Sequence, residues 1–138
     1  MKNNRGFLSF IAIICLFQLP TLGQTSEEVL KELKKQNVLH PEIVLAQSIL
    51  ETGWYKCKGC SRDKNNLFGL WNHRKKEYYY YKTWQESIGG YLRGVQYKYD
   101  ENKYKDYYEF LTRIGYASDI NYIKKIKAIV KRTSDLNK

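Results

Sequence analysis

One carboxylate sits in unusually apolar company. The segment Val44-Leu45-Ala46-Gln47-Ser48-Ile49-Leu50-Glu51-Thr52-Gly53-Trp54 surrounds Glu51 with aliphatic and aromatic neighbours. Low polarity disfavours the charged form of a carboxyl group and raises its pKa. A carboxyl kept protonated near neutrality can act as a general acid, delivering a proton to the leaving oxygen of a glycosidic bond. The spacing alone is equally compatible with an exposed glutamate at a helix end or with a structural ion pair. Cys57 and Cys60 are the other residues with obvious chemistry. A zinc site would need two further ligands, for which only His40 and His73 are present. A thioredoxin-type redox pair would need a βαβ context that the pattern lacks. A Cys57–Cys60 disulfide is the expectation.

The elements that must position these residues read as mostly helical. Thr25-Ser26-Glu27-Glu28 has capping-box spacing, and Val29, Leu30 and Leu33 follow at helical intervals, predicting a helix from about Ser26 to Gln36. Pro41 opens a second helix whose apolar face is Ile43, Val44, Ala46, Ile49 and Leu50, with Gly53 as its stop. Glu51 therefore falls in the last turn of a largely buried helix. Residues 52–66 read as a loop. Leu67 to Lys82 reads as a short hairpin, with Phe68, Leu70 and Trp71 on one arm, Tyr78 to Tyr81 on the other, and a polar turn between them. Thr83 and Glu86 repeat the capping spacing ahead of Ile88, Tyr91, Leu92 and Val95. A fourth helix is predicted from about Lys105 to Ile114, ended by Gly115. Ser118 or Asp119 would cap a fifth, with the stripe Ile120, Ile123, Ile126, Ile129 and Val130. The expected class is α+β, mostly helical, with a small β-hairpin lobe.

The N-terminus has the three-part pattern of a cleavable signal peptide. Lys2 and Arg5 precede a nearly unbroken apolar run from Phe7 to Leu19, and Pro20-Thr21-Leu22-Gly23 ends on a small residue. That run is too short to span a bilayer comfortably, so a cleaved segment 1–23 is preferred to a retained anchor. Processing as a lipoprotein at Cys15 fits poorly, because Ile14 is not small. The remainder, 24–138, forms one domain. The chain carries a net charge of +10, which points to an anionic partner or surface. Its lysines are scattered rather than gathered in a stripe, and export favours a polyanionic cell wall over nucleic acid.

Four blocks, in order, resemble the bacterial glucosaminidase family, glycoside hydrolase family 73 (mannosyl-glycoprotein endo-beta-N-acetylglucosaminidase-like). Ala46-Gln47-Ser48-Ile49-Leu50-Glu51-Thr52-Gly53-Trp54 is similar to its catalytic-helix motif, and Asn65-Asn66-Leu67-Phe68-Gly69-Leu70 to its next block. Tyr81-Lys82-Thr83-Trp84-Gln85-Glu86-Ser87-Ile88 resembles the block opening the following helix, and Gly115-Tyr116-Ala117-Ser118-Asp119 with Tyr122 its closing motif. The resemblance implies a lysozyme-like fold and hydrolysis of peptidoglycan on the reducing side of N-acetylglucosamine. It implies Glu51 as the catalytic acid, Tyr116 as an aromatic beside it, and Glu77, the one acid between Asp63 and Glu86, as a second carboxylate from the hairpin. Substrate assistance by the sugar's N-acetyl oxygen is the competing mechanism. Glu86 and Asp119 read instead as helix caps. Asn66, Phe68, Gly69, Trp71 and Tyr122 are the implied substrate-contacting set, with Trp54 as either a sugar platform or a packing residue. No metal or cofactor is implied, and a monomer acting outside the cell or in the periplasm is expected. A muramidase or lytic transglycosylase on the same fold, or a wall-binding module without activity, are the alternatives.

The leader reading predicts that the exported protein has lost roughly its first 23 residues. Intact-mass measurement of the secreted or periplasmic form checks this, and a mass retaining Phe7 to Leu19 overturns it.

Overall fold

The computed structural model describes residues 24–138, leaving the expected leader 1–23 outside the described residues. Five helices surround a minimal hairpin: α1 (Ser26–Lys35), α2 (Pro41–Glu51), β1 (Trp71–Asn72), β2 (Glu77–Tyr78), α3 (Trp84–Gly94), α4 (Tyr107–Arg113) and α5 (Tyr122–Arg132). Short 3₁₀ turns at Ser61–Lys64, Gln96–Lys98 and Ser134–Asn137 complete the described residues. The class is α+β and mostly helical, as the pattern of elements predicts.

The axis of the domain is α2. Every residue from Ile43 to Ile49 is buried, so this helix has no solvent face, and it packs against α1 on one side and α5 on the other. A helix that is apolar all round is buried on all sides. Its start departs from ordinary capping. His40, in the N-cap position, adopts a left-handed conformation (φ 52°) and makes no side-chain cap, while Pro41 supplies the first helical residue. The helix ends at Thr52, followed by Gly53 with positive φ (53°), the conformation in which helices commonly terminate. Around α2 the core gathers Leu33, Leu67, Phe68, Ile88, Tyr91, Phe110, Leu111 and Ile126.

The other helices follow their capping residues. At α1 the box is complete: the Glu28 amide donates to Thr25 Oγ1 (3.2 Å) and the Thr25 amide to Glu28 Oε2 (3.0 Å). At α3 the Glu86 amide donates to Thr83 Oγ1, while the Glu86 carboxylate reaches one residue further, to the Lys82 amide. α4 starts later than expected, at Tyr107. Asp106 accepts from the Glu109 amide (2.8 Å) and Glu109 accepts from the Lys105 amide (2.6 Å), so the cap lies inside the predicted span. The start of α5 also moves. Asn121 occupies its N-cap, and Asp119 lies two residues ahead, where it holds the approach turn by accepting from the Asn121 amide. Ile120, expected on the buried stripe, is 96% exposed in that turn. Ile126 and Ile129 are buried as the period predicts.

The hairpin is shorter than the sequence suggests. Trp71 pairs with Tyr78 and Asn72 with Glu77, antiparallel, and one further bond runs from the Tyr79 amide to the Leu70 carbonyl. Phe68 and Leu70 are not strand residues. The buried side chain of Asn66 takes the place of a ladder there. Its amide nitrogen donates to the carbonyls of Leu70 (2.8 Å) and Tyr79 (3.1 Å), and its oxygen accepts from the amides of Leu70 (3.0 Å) and Phe68 (3.4 Å). One side chain thereby folds residues 66–70 into a loop and ties it to β2. Cys57 and Cys60 form a disulfide in the loop after α2.

Asn66→Ala would leave several loop amides and carbonyls without partners in a closed site. Each such group costs about 1–3 kcal/mol, so we predict a loss of at least about 2 kcal/mol, read from urea or thermal unfolding. Unfolding indistinguishable from wild type would show that the clamp is dispensable.

Candidate active site

Glu51 is the last residue of α2, and its carboxyl lies at the floor of an open cleft of about 560 Å³. α2 supplies Leu50 and Glu51. The Asn66-clamped loop supplies Phe68, Gly69 and Leu70, and β1 with the hairpin turn supplies Trp71 and His73. Lys98 follows α3, and the segment before α5, with its first turns, supplies Tyr116, Ala117, Ser118, Asp119, Tyr122 and Lys125. A larger groove of about 880 Å³ runs between α1 and the start of α3, past Lys31, Arg62 and Trp84. Its carboxylates, Glu28 and Glu32, are engaged by a helix cap and by Gln36 and Lys35, leaving no acid poised for proton transfer.

Burial dominates the chemistry of Glu51. Removal of water raises its pKa above the ordinary carboxyl value, and a hydrogen bond from the Tyr122 hydroxyl opposes this only partly. The position on the helix acts in the same direction as burial. The C-terminal end of a helix carries partial negative charge from its free carbonyls, which disfavours a carboxylate within the last turn. The group is therefore biased towards its protonated, acid form.

The loop approaches the carboxyl as closely as backbone can. Gly69 has φ 62°, and a Cβ at that position would lie 2.9 Å from Glu51 Oε2 and 3.4 Å from Cδ. Glycine is required twice over, by the left-handed backbone and by the absent side chain. The two closing-motif tyrosines divide their tasks. The ring of Tyr116 lines the cleft, but its hydroxyl donates to the Phe68 carbonyl at 2.8 Å, fixing the loop to the segment before α5. The Tyr122 hydroxyl lowers the Glu51 pKa, while burial followed by the Glu51 charge pushes the Tyr122 phenol up. Its ring packs on Tyr116 with centroids 5.7 Å apart.

The structure brings Glu51, Phe68, Gly69, Trp71, Tyr116 and Tyr122 to one cleft and leaves Asn66 and Glu77 out of its lining. Asn66 is fully buried beneath it, its side chain bonded to backbone. Phe68 contributes mainly backbone, since its ring is buried against Tyr91 at 4.8 Å. Trp71 is 42% exposed, an aromatic surface open to a ligand. Strand geometry decides where Glu77 points. Side chains alternate across a strand, and the rings of the cross-strand pair Trp71 and Tyr78 meet edge-on at 5.0 Å on one face. Asn72 and Glu77 consequently share the opposite face, away from the cleft that Trp71 lines. There the Glu77 carboxylate takes a hydrogen bond from Lys64 Nζ at 2.9 Å, which holds its pKa below the usual carboxyl range. Trp54 lies elsewhere, under the Arg132 guanidinium at 4.5 Å from its ring centroid.

The family model described as mannosyl-glycoprotein endo-beta-N-acetylglucosaminidase matches residues 27–135, nearly the whole described chain and every element that lines the cleft. The chain belongs to the glucosaminidase family. It is thus a glycoside hydrolase of the peptidoglycan-directed kind. A comparison with curated proteins finds no match. Sequence reasoning did not single out the residues behind the glucosaminidase cleft, Gln47 and Tyr91. Gln47 was visible as a polar residue four positions before Glu51, and so on the same helical face. It also missed the rim cations Lys98 and Lys125, which no local pattern marks.

Gly69→Ala tests the close approach. A left-handed backbone costs a residue with a Cβ about 1–2 kcal/mol, and the methyl would displace the Glu51 carboxyl. We predict a stability loss of that size together with a much larger loss of hydrolysis of purified peptidoglycan. Full activity with an unchanged melting temperature would refute the contact.

Proposed function

We propose that this glucosaminidase is exported and cleaves the β-1,4 bond between N-acetylglucosamine and N-acetylmuramic acid in peptidoglycan, with Glu51 as general acid. The observation that carries the reading is a carboxyl whose pKa is raised by burial, on the floor of an open cleft walled by Gly69, Trp71, Tyr116 and Tyr122. A glycan strand lying along the cleft would present its glycosidic oxygen to Glu51, whose proton leaves with the departing sugar as the bond to the anomeric carbon breaks. Trp71 offers a face for sugar stacking.

A second carboxylate is poorly provided for. Among the described residues the cleft is lined, besides Glu51, by one acid, Asp119, which is exposed, bonded to Lys125 at 2.5 Å and held below the ordinary pKa. Glu77 faces away and is paired with Lys64. This favours substrate assistance. The N-acetyl carbonyl oxygen attacks the anomeric carbon as the leaving oxygen takes the Glu51 proton. Water then opens the resulting oxazolinium ring, giving its proton back to the Glu51 carboxylate. The strongly basic chain would concentrate on an anionic wall, and we read the active unit as a monomer in the periplasm or outside the cell.

Mass spectrometry of reduced digestion products tests the bond, since new ends at N-acetylglucosamine identify a glucosaminidase and ends at muramic acid would reject it. Glu51→Gln should lose about 10²- to 10⁴-fold or more in rate, because the amide has no proton to deliver. Glu77→Gln should keep most activity. A carboxyl whose folded pKa is raised favours the folded state fully only below its unfolded pKa, and that favour is lost as pH rises through the folded value. Glu51→Gln should therefore melt above wild type at neutral pH, with the advantage fading in acid. A folded Glu51→Gln protein with near-native activity would overturn the assignment.

A further inference from the structure

Behind Glu51, a line of buried polar groups crosses the core. The hydroxyls of Tyr107 and Tyr91 are 2.9 Å apart, the Tyr91 hydroxyl donates to Gln47 Oε1 at 2.7 Å, and Gln47 Nε2 donates to the Tyr122 oxygen at 3.3 Å. Tyr122 and Glu51 line the same cleft, and the Tyr122 hydroxyl pulls the Glu51 pKa down against the effect of burial. Gln47 is completely buried, Tyr91 and Tyr107 nearly so, and Tyr122 is 6% exposed. A polar network in a dry core is worth keeping only when all its members are satisfied, and this one passes directly to the acid.

The amide fixes the direction of every link. A hydroxyl has one hydrogen, whereas a primary amide has a donating end and an accepting end that cannot exchange roles without turning over. The short contact to Tyr91 has the length of an O–H···O bond, and the longer one to Tyr122 suits the amide nitrogen. With the Tyr91 hydrogen given to Gln47, the Tyr107 hydroxyl must donate to Tyr91. With the Tyr122 oxygen already accepting from Gln47, the Tyr122 hydrogen is left free for the cleft that it shares with Glu51. All the arrows run the same way, from Tyr107 towards the carboxyl. If the amide were reversed, Gln47 would accept from Tyr122 and leave Glu51 without this donor.

We propose that Gln47 is a positioning residue whose amide sets the direction of this chain, so that Tyr122 donates to one Glu51 oxygen and the acidic proton is carried by the other. The proposal rests on the reading of Glu51 as the acid and deepens it. Gln47 touches no substrate. It acts through Tyr122, and it makes one oxygen of the carboxyl the accepting one before substrate arrives. The titratable and charged groups that share the cleft with Glu51 are Tyr116, Tyr122, His73, Lys98, Asp119 and Lys125. Among them Tyr122 is the one that moves the Glu51 pKa.

The test follows the Glu51 carboxyl by ¹³C NMR in the resting protein, its signal assigned by loss in Glu51→Gln, alongside the pH–rate profile on soluble peptidoglycan fragments. Tyr122→Phe removes a donor to the charged form, so the titration midpoint and the basic limb of activity should move to higher pH. Gln47→Leu should move both in the same direction by less, because Tyr122 loses the polarisation that strengthens its donation. It should lower kcat about tenfold with KM unchanged, the scale of one hydrogen bond. Added to Tyr122→Phe, Gln47→Leu should shift nothing further. Tyr91→Phe is nearly isosteric and two links from the carboxyl. It frees the amide to turn over and should also raise the midpoint, so the proposal stays testable if Gln47→Leu folds poorly. A folded Gln47→Leu or Tyr91→Phe protein with an unmoved midpoint, or additive shifts from Gln47 and Tyr122, would overturn it. If Glu51→Gln stays fully active, the reading of Glu51 fails and takes the proposal with it, whatever the titrations show.

Discussion

Everything at this site depends on α2 having no solvent face. A helix buried from Ile43 to Ile49 cannot shift or fray without opening the core, so its terminal residue is held by the packing of the whole domain. Glu51 is placed where this rigidity ends and the cleft begins. Burying a carboxyl is unfavourable unless it is bonded or neutral, and the site uses both routes. Burial biases the group towards its neutral form, and the Tyr122 hydroxyl offsets part of the cost of charging it. Positioning and activation of the acid are thus consequences of one constraint. The helix that fixes the carboxyl in space also removes the water that would ionise it.

The remaining wall of the site is built by satisfying backbone rather than by further packing. Asn66 replaces strand pairing with four side-chain bonds, and Tyr116 ties the same loop to the segment before α5. These contacts press Gly69 against the carboxyl from the side opposite the core. A short hairpin is marginal by itself, and β1 and β2 pair over only two residues each. Trp71 is accordingly presented by a strand that depends on the Asn66 clamp for its place.

Where local rules and tertiary structure agree, the sequence was readable. The capping box of α1, Pro41 at the start of α2 and the position of Glu51 in its last turn all follow from short-range signals that no long-range contact contradicts. The hairpin was misread because Phe68 and Leu70 look like strand residues, while the ladder they would join is replaced by the Asn66 side chain. Asp106-Tyr107-Tyr108-Glu109 did carry the spacing that starts α4, hidden behind a periodicity that extends past it. The face of Glu77 was not legible, since it follows from pairing register, and a shift of one residue would reverse it. The partnership of Gln47, Tyr91 and Tyr122 joins positions 44 and 75 residues apart, and only the packing of α3 and α5 on α2 brings them together.

On the reading of Glu51 as the acid, a strongly basic chain must keep its cations from ionising that carboxyl, and the arrangement of charge meets this demand. An opposite charge within a few ångströms lowers a carboxyl pKa, so free lysines at the floor of the cleft would cancel the effect of burial. The two lysines lining the cleft have partners of their own. Lys125 is paired with Asp119, and the Lys98 ammonium lies 5.5 Å from the centroid of the Tyr97 ring. Neither perturbs Glu51, whose shift is set by burial and Tyr122. Exposed charges act through water and are screened beyond about 10 Å at moderate salt. On the proposed reading, the positive surface draws the protein to an anionic wall at long range while the buried carboxyl keeps its raised pKa. Attraction and catalysis use the same electrostatics in two media, and the line between them is the edge of the cleft.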